Sequence, residues 1–262
     1  MAAASVASAI GSRHLELAVD ELVEGYVSLV SRALDRKLDW STDDLALQNI
    51  QARTRAPSAW LIANLEGALL LATSNRSEAA VGYATMDGDT AGGLSPIAGI
   101  DKAFIRRWLV WLEQTGLAEC GPLPALRVVT VQAPTAELRP SNGPNGEAQT
   151  DEADLMPYDL LDVIERASIA DKRAPADVFR LIEAQFPAYS TEQLLLWLER
   201  FYALFCRNQW KRERYAPSFH VDDANLDPKT WCRFPILSGG FSRELAELRR
   251  SLQARKRDDT SR

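Results

Sequence analysis

The sequence predicts an α/β layer fold with a parallel sheet and a helical C-terminal part. Two observations carry that prediction. Short apolar runs of strand length, ALLLA at 68–72 and LRVVTV at 126–131, are set among amphipathic helical stretches. Strands that alternate with helices pair in parallel, because the crossover helix brings the next strand back in the same direction. Beyond a Pro-, Gly-, Asn- and acid-rich stretch at 140–155, the pattern turns to helices alone.

Taken in order, residues 2–10 read as the end of a helix, with Gly11 as its C-cap. RHLELAV at 13–19 alternates and reads as a strand. Asp20 opens an amphipathic helix to Ala33, with Leu22, Val23, Tyr26, Val27 and Val30 on one face. LDRKLDW at 34–40 reads as a loop. Ser41, Thr42, Asp43 and Asp44 read as a helix start, since their oxygens accept the orphan N–H groups of a first turn. That helix carries Asn49, Gln51, Arg53 and Arg55. Pro57 is expected to kink or restart it, because proline lacks the N–H and clashes with the preceding turn.

ALLLA is continuous rather than alternating, the mark of a strand buried on both faces. A Gly- and Asp-rich loop follows at 86–99. A helix over 101–115 ends at Gly116, and LRVVTV gives a second strand. Helices are expected near 157–170, 175–185 and 190–209, the last capped by Ser190. Residues 216–240 read as irregular, and 242–262 as a charged helix or tail that frays at its end.

The 262 residues, 46% hydrophobic and 25% charged, suffice for one large domain or two small ones. A net charge of −6 argues against non-specific nucleic-acid binding, although a local basic patch can still meet a phosphorylated small molecule. Cys120, Cys206 and Cys232 are odd in number and widely spaced, which fits reduced structural thiols of a cytoplasmic protein. With His14 and His220 the only histidines, no histidine-built metal site is expected. The small apolar N-terminus lacks a basic n-region, and no run of about 18 apolar residues exists, so neither a secretory leader nor a membrane span is expected.

Polar groups concentrate between Asn49 and Lys102. Thr73 follows the expected strand, and ligands of open parallel sheets bind outside the carboxyl ends of strands. Glu78, one turn on, is a hard oxygen ligand suited to Mg²⁺. Taken singly, both have plainer readings: Thr73 as a helix cap and Glu78 as a solvated first-turn acid. Arg53 and Arg55 stand two apart and so face different ways; one can reach a phosphate while the other faces solvent or a surface acid, but taken singly they read as surface arginines. Asp87 and Asp89 in MDGDTAGG shape a turn as readily as they bind a ligand. In NQWKRER, Lys211, Arg212 and Arg214 read either as cations offsetting a helix C-terminus or as an anion clamp. Ser238-Gly239-Gly240-Phe241-Ser242 looks like the pyrophosphate-gripping SGGxDS loop, but lacks its aspartate and follows no strand. It reads as a turn before the last helix.

Together the segments NIQARTR, LLATSNRSEAAVGYATMDGDTAGGLSPIAGIDK, APTAELRP, QTDEADLMPYDLLDVI and NQWKRERYAP through WCRFPI resemble the synthetase domain of NAD⁺ synthetase, an ATP-pyrophosphatase-type amidating ligase. The resemblance runs from about residue 45 to 236 and is closer to the glutamine-dependent enzymes than to the short ammonia-dependent ones. It implies a partial adenine-nucleotide alpha hydrolase-like (Rossmann-like) parallel sheet with helices on both faces. It divides the chain into an incomplete ATP-pyrophosphatase core at 1–139, a flexible loop at 140–155, a helical part of the same domain at 156–241 and a charged tail at 242–262. It also implies adenylation of deamido-NAD by ATP, followed by displacement of AMP by ammonia, free or derived from glutamine.

Carried over residue by residue, Thr73, Lys102 and Thr135 look like ATP contacts, Glu78 like the Mg²⁺ carboxylate, and Arg53 and Lys211 like deamido-NAD contacts. No acid or base of the second step is identified. A homodimer is a family-level expectation.

The departures are as informative. The family's SGGxDS loop and its second Mg²⁺ carboxylate should precede all these motifs, and no counterpart is present. Nor is there a nitrilase-like glutaminase. Pro57 sits inside the arginine helix, and Met86 and Gly93 stand where short ammonia-dependent versions carry lysine and aspartate. The chain is therefore expected to be an N-terminally shortened synthetase domain, incomplete for catalysis by itself. Without its first strand, apolar helix faces and open sheet edges should make it poorly soluble alone, or dependent on a partner. One rival reading is a degenerate nucleotide-binding paralogue or partner subunit without catalysis. Another is a GMP-synthetase-like or tRNA-thiolating ligase, against which ATSNRSEAAVGY and the QTDE–PYD segment argue.

Overall fold

Helices dominate the architecture of this protein, and their burial is uneven. The computed structural model describes residues 2–135, 138–139 and 150–260. The first part of the chain holds α1 (Ala2–Ala9), α2 (Asp20–Ala33), α3 (Trp40–Glu66), α4 (Arg76–Val81), α5 (Lys102–Gln114) and α6 (Arg127–Thr130). After the 140–149 segment, which lies outside the described residues, come α7 (Asp151–Asp154), α8 (Tyr158–Glu165, continued by a π-turn over Arg166–Ala170) and α9 (Pro175–Gln185). The chain closes with α10 (Thr191–Arg207), α11 (Gln209–Arg212) and α12 (Ser242–Thr260).

The core belongs to the second half. Leu194, Leu198, Phe201 and Phe205 recur at helical spacing along α10, and all are buried. They meet Leu160, Leu161 and Ile164 of α8 and Val178, Phe179 and Ile182 of α9. Full burial of one such side chain contributes roughly 1.5–3 kcal/mol. Ser190 caps α10 as expected, accepting from Gln193 N at 3.1 Å. The charged C-terminal helix is docked, because Leu245, Leu248 and Leu252 fall on one stripe and pack on the same core.

α4 is short but central. Its Ala79, Ala80 and Val81 enter the core, and its last carbonyls are claimed by residues around α11. Asn208 Nδ2 donates to Val81 O at 2.8 Å, Arg212 Nη1 to Ala79 O and Ala80 O at 3.1 and 2.9 Å, and Lys211 Nζ to Gly82 O and Ala84 O at 2.7 Å each. The cations of NQWKR thus offset a helix C-terminus, but it is that of α4 rather than of their own helix. Arg212 is fully buried over the Phe205 ring, and desolvation pulls its pKa down to about 10, which leaves it charged at neutral pH.

The first half is more open. α2 is amphipathic where expected, yet buries none of its residues, and Leu22, Tyr26, Leu29 and Val30 are exposed. α5 also forms as expected, between its Asp101 cap and Gly116, but buries only Ala103 and Leu112.

Several expectations need correction. No strand forms among the described residues. Residues 13–19 are irregular, since no partner supplies a ladder for their backbone groups. ALLLA makes a single parallel bridge, Leu71 with Leu94, and Leu69 and Leu71 are exposed rather than buried on both faces. LRVVTV is helical: Pro124 opens a 3₁₀ turn at its first position and α6 follows, so local turn chemistry overrides β-branching. Of the isolated bridges, Leu71–Leu94 and Ser95–Ser218 are parallel and Leu117–Gly121 is antiparallel.

α3 begins at Trp40 with Asp39 as its cap, accepting from Ser41 N at 2.9 Å, one step ahead of the expected Ser41 start. The helix passes through Pro57, and the departure from helical dihedrals falls at Asp43 instead. Arg36 grips the Asp43 carboxylate with two bonds of 2.8 and 2.7 Å, and Asp39 N adds a third at 3.0 Å. The exposed site of Pro57 lets water satisfy the carbonyl it leaves behind.

The loop after α4 folds back on the 68–72 segment. Ala72 N donates to Leu94 O and Gly93 N to Leu70 O, each at 2.8 Å. A Cβ on Gly92 would stand 2.5 Å from Ala72 N. Gly92→Ala is therefore expected to break this bridge and lower stability by about 1–3 kcal/mol, read as a shift in the urea midpoint.

Candidate functional site

An open cavity of about 1000 Å³ lies between α3, α5 and the 129–135 segment. Its apolar wall includes Ala52, Ala56 and Ala59, which share a face of α3, and Ile105 and Leu109 of α5. Its polar wall is built where α4 and α5 start. Thr73, Ser74, Glu78, Lys102 and Thr135 all line it. Four of the six residues singled out from the sequence, Thr73, Glu78, Lys102 and Thr135, are thus brought to one cavity.

The local geometry follows from helix capping. Asn75, not Thr73, caps α4. Its Oδ1 accepts from Glu78 N at 3.0 Å, and Glu78 Oε2 accepts from Asn75 N at 3.2 Å, a reciprocal capping box. The other Glu78 oxygen accepts from Lys102 Nζ at 2.9 Å. Lys102 is the first residue of α5, so the pair joins the positive ends of two helices. The Lys102 ammonium also sits 5.6 Å from the centroid of the Tyr158 ring, whose hydroxyl donates to Asp151 Oδ2 at 2.9 Å. Burial, then Asp151 and Glu78, raise the Tyr158 pKa, so the phenol stays protonated as a donor. Asp151 N donates to Pro134 O at 3.0 Å, which ties the Thr135 end of the cavity to α7.

Arg53 and Lys211 do not line the cavity. Both hold the loop that does. Arg53 Nε donates to Met86 O at 3.0 Å, while Lys211 bonds the carbonyls of Gly82 and Ala84. Burial lowers the Lys211 pKa, Asp89 opposes that, and Arg207 and Arg53 add to it. The loop so held presents Tyr83, Gly88 and Asp89 to the cavity. Arg55, two residues from Arg53, lines it from α3.

Sequence reasoning missed a buried ionic cluster directly behind the polar wall. The Arg76 side chain, 3% exposed, donates to Gly99 O at 2.8 Å and to Asp101, Glu165 and Asp222 at 3.1 Å each. Ser77 donates to Asp162 Oδ1 at 2.5 Å. One guanidinium cannot balance so many carboxylates, and burial pushes Asp162 up to about 7 and Glu165 up to about 8. Glu165 Oε1 is buried without a hydrogen-bond partner. A signal for the cluster did exist: Glu165 repeats the helical spacing of Tyr158 and Leu161, which puts an acid on an otherwise apolar stripe.

Among the described residues, no group of three or more His, Cys, Asp or Glu is placed to hold a metal ion. Glu78 offers one carboxylate, with oxygens already shared by Lys102 and Asn75. That donor set does not fit an all-protein cage. It fits a Mg²⁺ carried on substrate phosphates, which keeps its waters and takes one or two protein carboxylates. No helix among the described residues is long and apolar enough to cross a membrane.

Comparison with known proteins adds three findings. A family model described as NAD synthase matches residues 1–213. The glutamine-dependent NAD(+) synthetases of Saccharomyces cerevisiae and Xanthomonas campestris are 29% and 31% identical over 253 and 231 residues, which cover 90% and 88% of this chain. The crystal structure of a glutamine-dependent NAD(+) synthetase from Cytophaga hutchinsonii superposes with a TM-score of 0.79 and 44% identity, over 94% of this chain and 38% of that one. These neighbours have an α/β nucleotide-alpha-hydrolase fold, of which the described residues show the helices and single parallel bridges. The chain spans 34% and 37% of the length of the two curated relatives.

Proposed function

The chain belongs to the NAD synthase family, and from that premise we propose that it acts in NAD biosynthesis as an ATP-dependent ligase, amidating deamido-NAD. The observation that carries this reading is the Glu78–Lys102 pair at 2.9 Å, set in one cavity with Thr73 and Thr135.

In this reading a carboxylate oxygen of deamido-NAD attacks the α-phosphorus of ATP, and pyrophosphate leaves with the bonding electrons. Ammonia then attacks the acyl carbon of the adenylate, loses a proton, and AMP departs. Lys102 holds the phosphates through a charge-assisted bond from its ammonium. Thr73 and Thr135 supply hydroxyls that orient the nucleotide. Glu78 would hold a Mg²⁺ accompanying the nucleotide, which would supply positive charge against that gathering on the leaving pyrophosphate. Arg53 and Lys211 are assigned to deamido-NAD. Their hold on the 82–86 carbonyls supports this, since it fixes the loop against which that substrate would lie. Arg106 and Arg107 line the same cavity, paired with Glu152 at 3.5 Å and Asp159 at 3.7 Å, and add positive potential for polyanionic substrates.

The partners are deamido-NAD, MgATP and ammonia, free or released from glutamine, in a cytoplasmic homodimer. The exposed apolar faces of α2 and α5 are surfaces that such an assembly could cover. The test is to supply the chain with deamido-NAD, MgATP and ammonium, and to measure NAD, AMP and pyrophosphate. Equal yields of all three are expected. A chain that binds no MgATP by calorimetry would sink the reading.

A further inference from the structure

The first turn of α5 has its backbone N–H groups claimed one after another by side chains. Lys102 N donates to Ser77 Oγ at 2.8 Å, Ala103 N to Asp162 Oδ2 at 3.0 Å, and Phe104 N to Asp101 Oδ1 at 2.6 Å. Only the last is an ordinary cap from the preceding residue. The other two come from α4 and α8. Ser77 in turn donates to Asp162 Oδ1 at 2.5 Å, so a single hydroxyl and a single carboxylate clip three helices together.

The clip sits next to the residues it would govern. Ser77 precedes Glu78, and Lys102 bonds Ser77 through its backbone while its side chain reaches Glu78. The spacing between the starts of α4 and α5 therefore sets the Lys102–Glu78 distance. Ser77 is fully buried and does not line the cavity. Arg76 strengthens the same junction from behind, since it bonds Asp101 beside Lys102 and Glu165 one turn from Asp162. We propose that Ser77 and Asp162 are positioning residues, which hold the Lys102 ammonium and the Glu78 carboxylate in register for one polyanionic ligand.

The consequence for nucleotide binding rests on the reading of Lys102 and Glu78 as MgATP contacts. The placement of Lys102 does not, and it is tested separately. Lysines of the intact chain are ¹³C-dimethylated, and the Lys102 resonance is identified by its loss in Lys102→Met. Glu78→Gln gives the position of that resonance when the pair is broken. Ser77→Ala and Asp162→Asn are expected to move the Lys102 resonance toward that position while the other lysine signals stay in place. Asp162→Asn preserves side-chain volume and keeps the test open where Ser77→Ala fails to fold.

MgATP affinity is then measured for each variant with and without Lys102→Met. A tenfold or greater loss with Lys102 in place, and less than about a twofold loss in the Lys102→Met background, is the non-additivity expected of residues acting through Lys102. An unmoved Lys102 resonance, or equal losses in both backgrounds, overturns the inference even if both variants lower the melting temperature. Absence of MgATP binding by the unmodified chain defeats the ligase reading, while the resonance still decides the placement.

Discussion

Replacing Arg76 with methionine is expected to lower the unfolding free energy by about 3–5 kcal/mol, because it removes the cation shared by Asp101 and Asp222 and the donor of the buried Glu165 and Gly99 oxygens. The guanidinium reaches four acceptors from three separate segments, at Gly99 and Asp101, at Glu165 and at Asp222. Methionine fills much of the volume but donates nothing, and Glu165 is fully buried with one oxygen already unpartnered. A shift in the urea midpoint at pH 7.5 measures the loss. A change under about 1 kcal/mol would show that the cluster contributes little, as exposed ion pairs do.

The same cluster fixes a sign for pH dependence. Burial raises Glu165 from its ordinary 4.5 to about 8, and Asp162 from 3.8 to about 7. Between the ordinary and raised values the folded chain holds protons that the unfolded chain has released. Stability contributed by these groups is therefore full below the ordinary carboxylate range and is lost as the pH rises through 7 and 8. The urea midpoint should be higher at pH 6 than at pH 8, and Glu165→Gln should flatten that slope.

Replacing Lys102 with methionine is expected to slow AMP formation by about 10²–10³, the usual loss of about 2.7–4 kcal/mol on removing one donor aimed at developing charge. The ammonium is part-buried and bonded to Glu78, a setting in which a bond to a phosphate would be stronger than in bulk water. Glu78→Gln should cause a comparable loss. The double variant should cost little more than either single one, because the two act as a unit. Rapid-quench measurement of AMP, beside calorimetric MgATP affinity, separates binding from the chemical step. A Lys102→Met chain that forms AMP within threefold of the original rate would remove Lys102 from the site.

How much of this was legible in the sequence differs between helices and sheet. α2, α5, α9 and α10 follow from apolar spacing and caps that act within a few residues, and Asp101 and Ser190 perform as those rules require. The strands depend on what lies beside them. RHLELAV has an alternating pattern but no neighbouring ladder, and ALLLA has a neighbour on one side at Leu94. LRVVTV has β-branched residues, but Pro124 settles its conformation first.

The site divides in a similar way. Thr73, Glu78 and Lys102 stand at element ends, where position alone left Thr73 a cap and Glu78 a solvated acid; the resemblance singled them out, and the structure brings them to one cavity. Arg76 and Asp162 were not legible, because pattern alone does not show which charges are buried, and only Glu165, on an apolar stripe, carried a signal. The partners at Asp101, Glu165 and Asp222, 25 to 146 residues away in sequence, reveal that Arg76 points inward.

The span of the Arg76 cluster also bears on how the chain is made. Arg76 and Asp222 are 146 residues apart, and Asn208 reaches back 127 residues to Val81. A ribosome exposes Arg76 well before it adds Glu165, Arg212 or Asp222. Until then α4 has neither its buried counter-ions nor donors for its last carbonyls, and a six-residue helix is too short to persist alone. The Glu78–Lys102 corner of the cavity is therefore a late product of synthesis, completed when residues made much later fold back over a segment made long before.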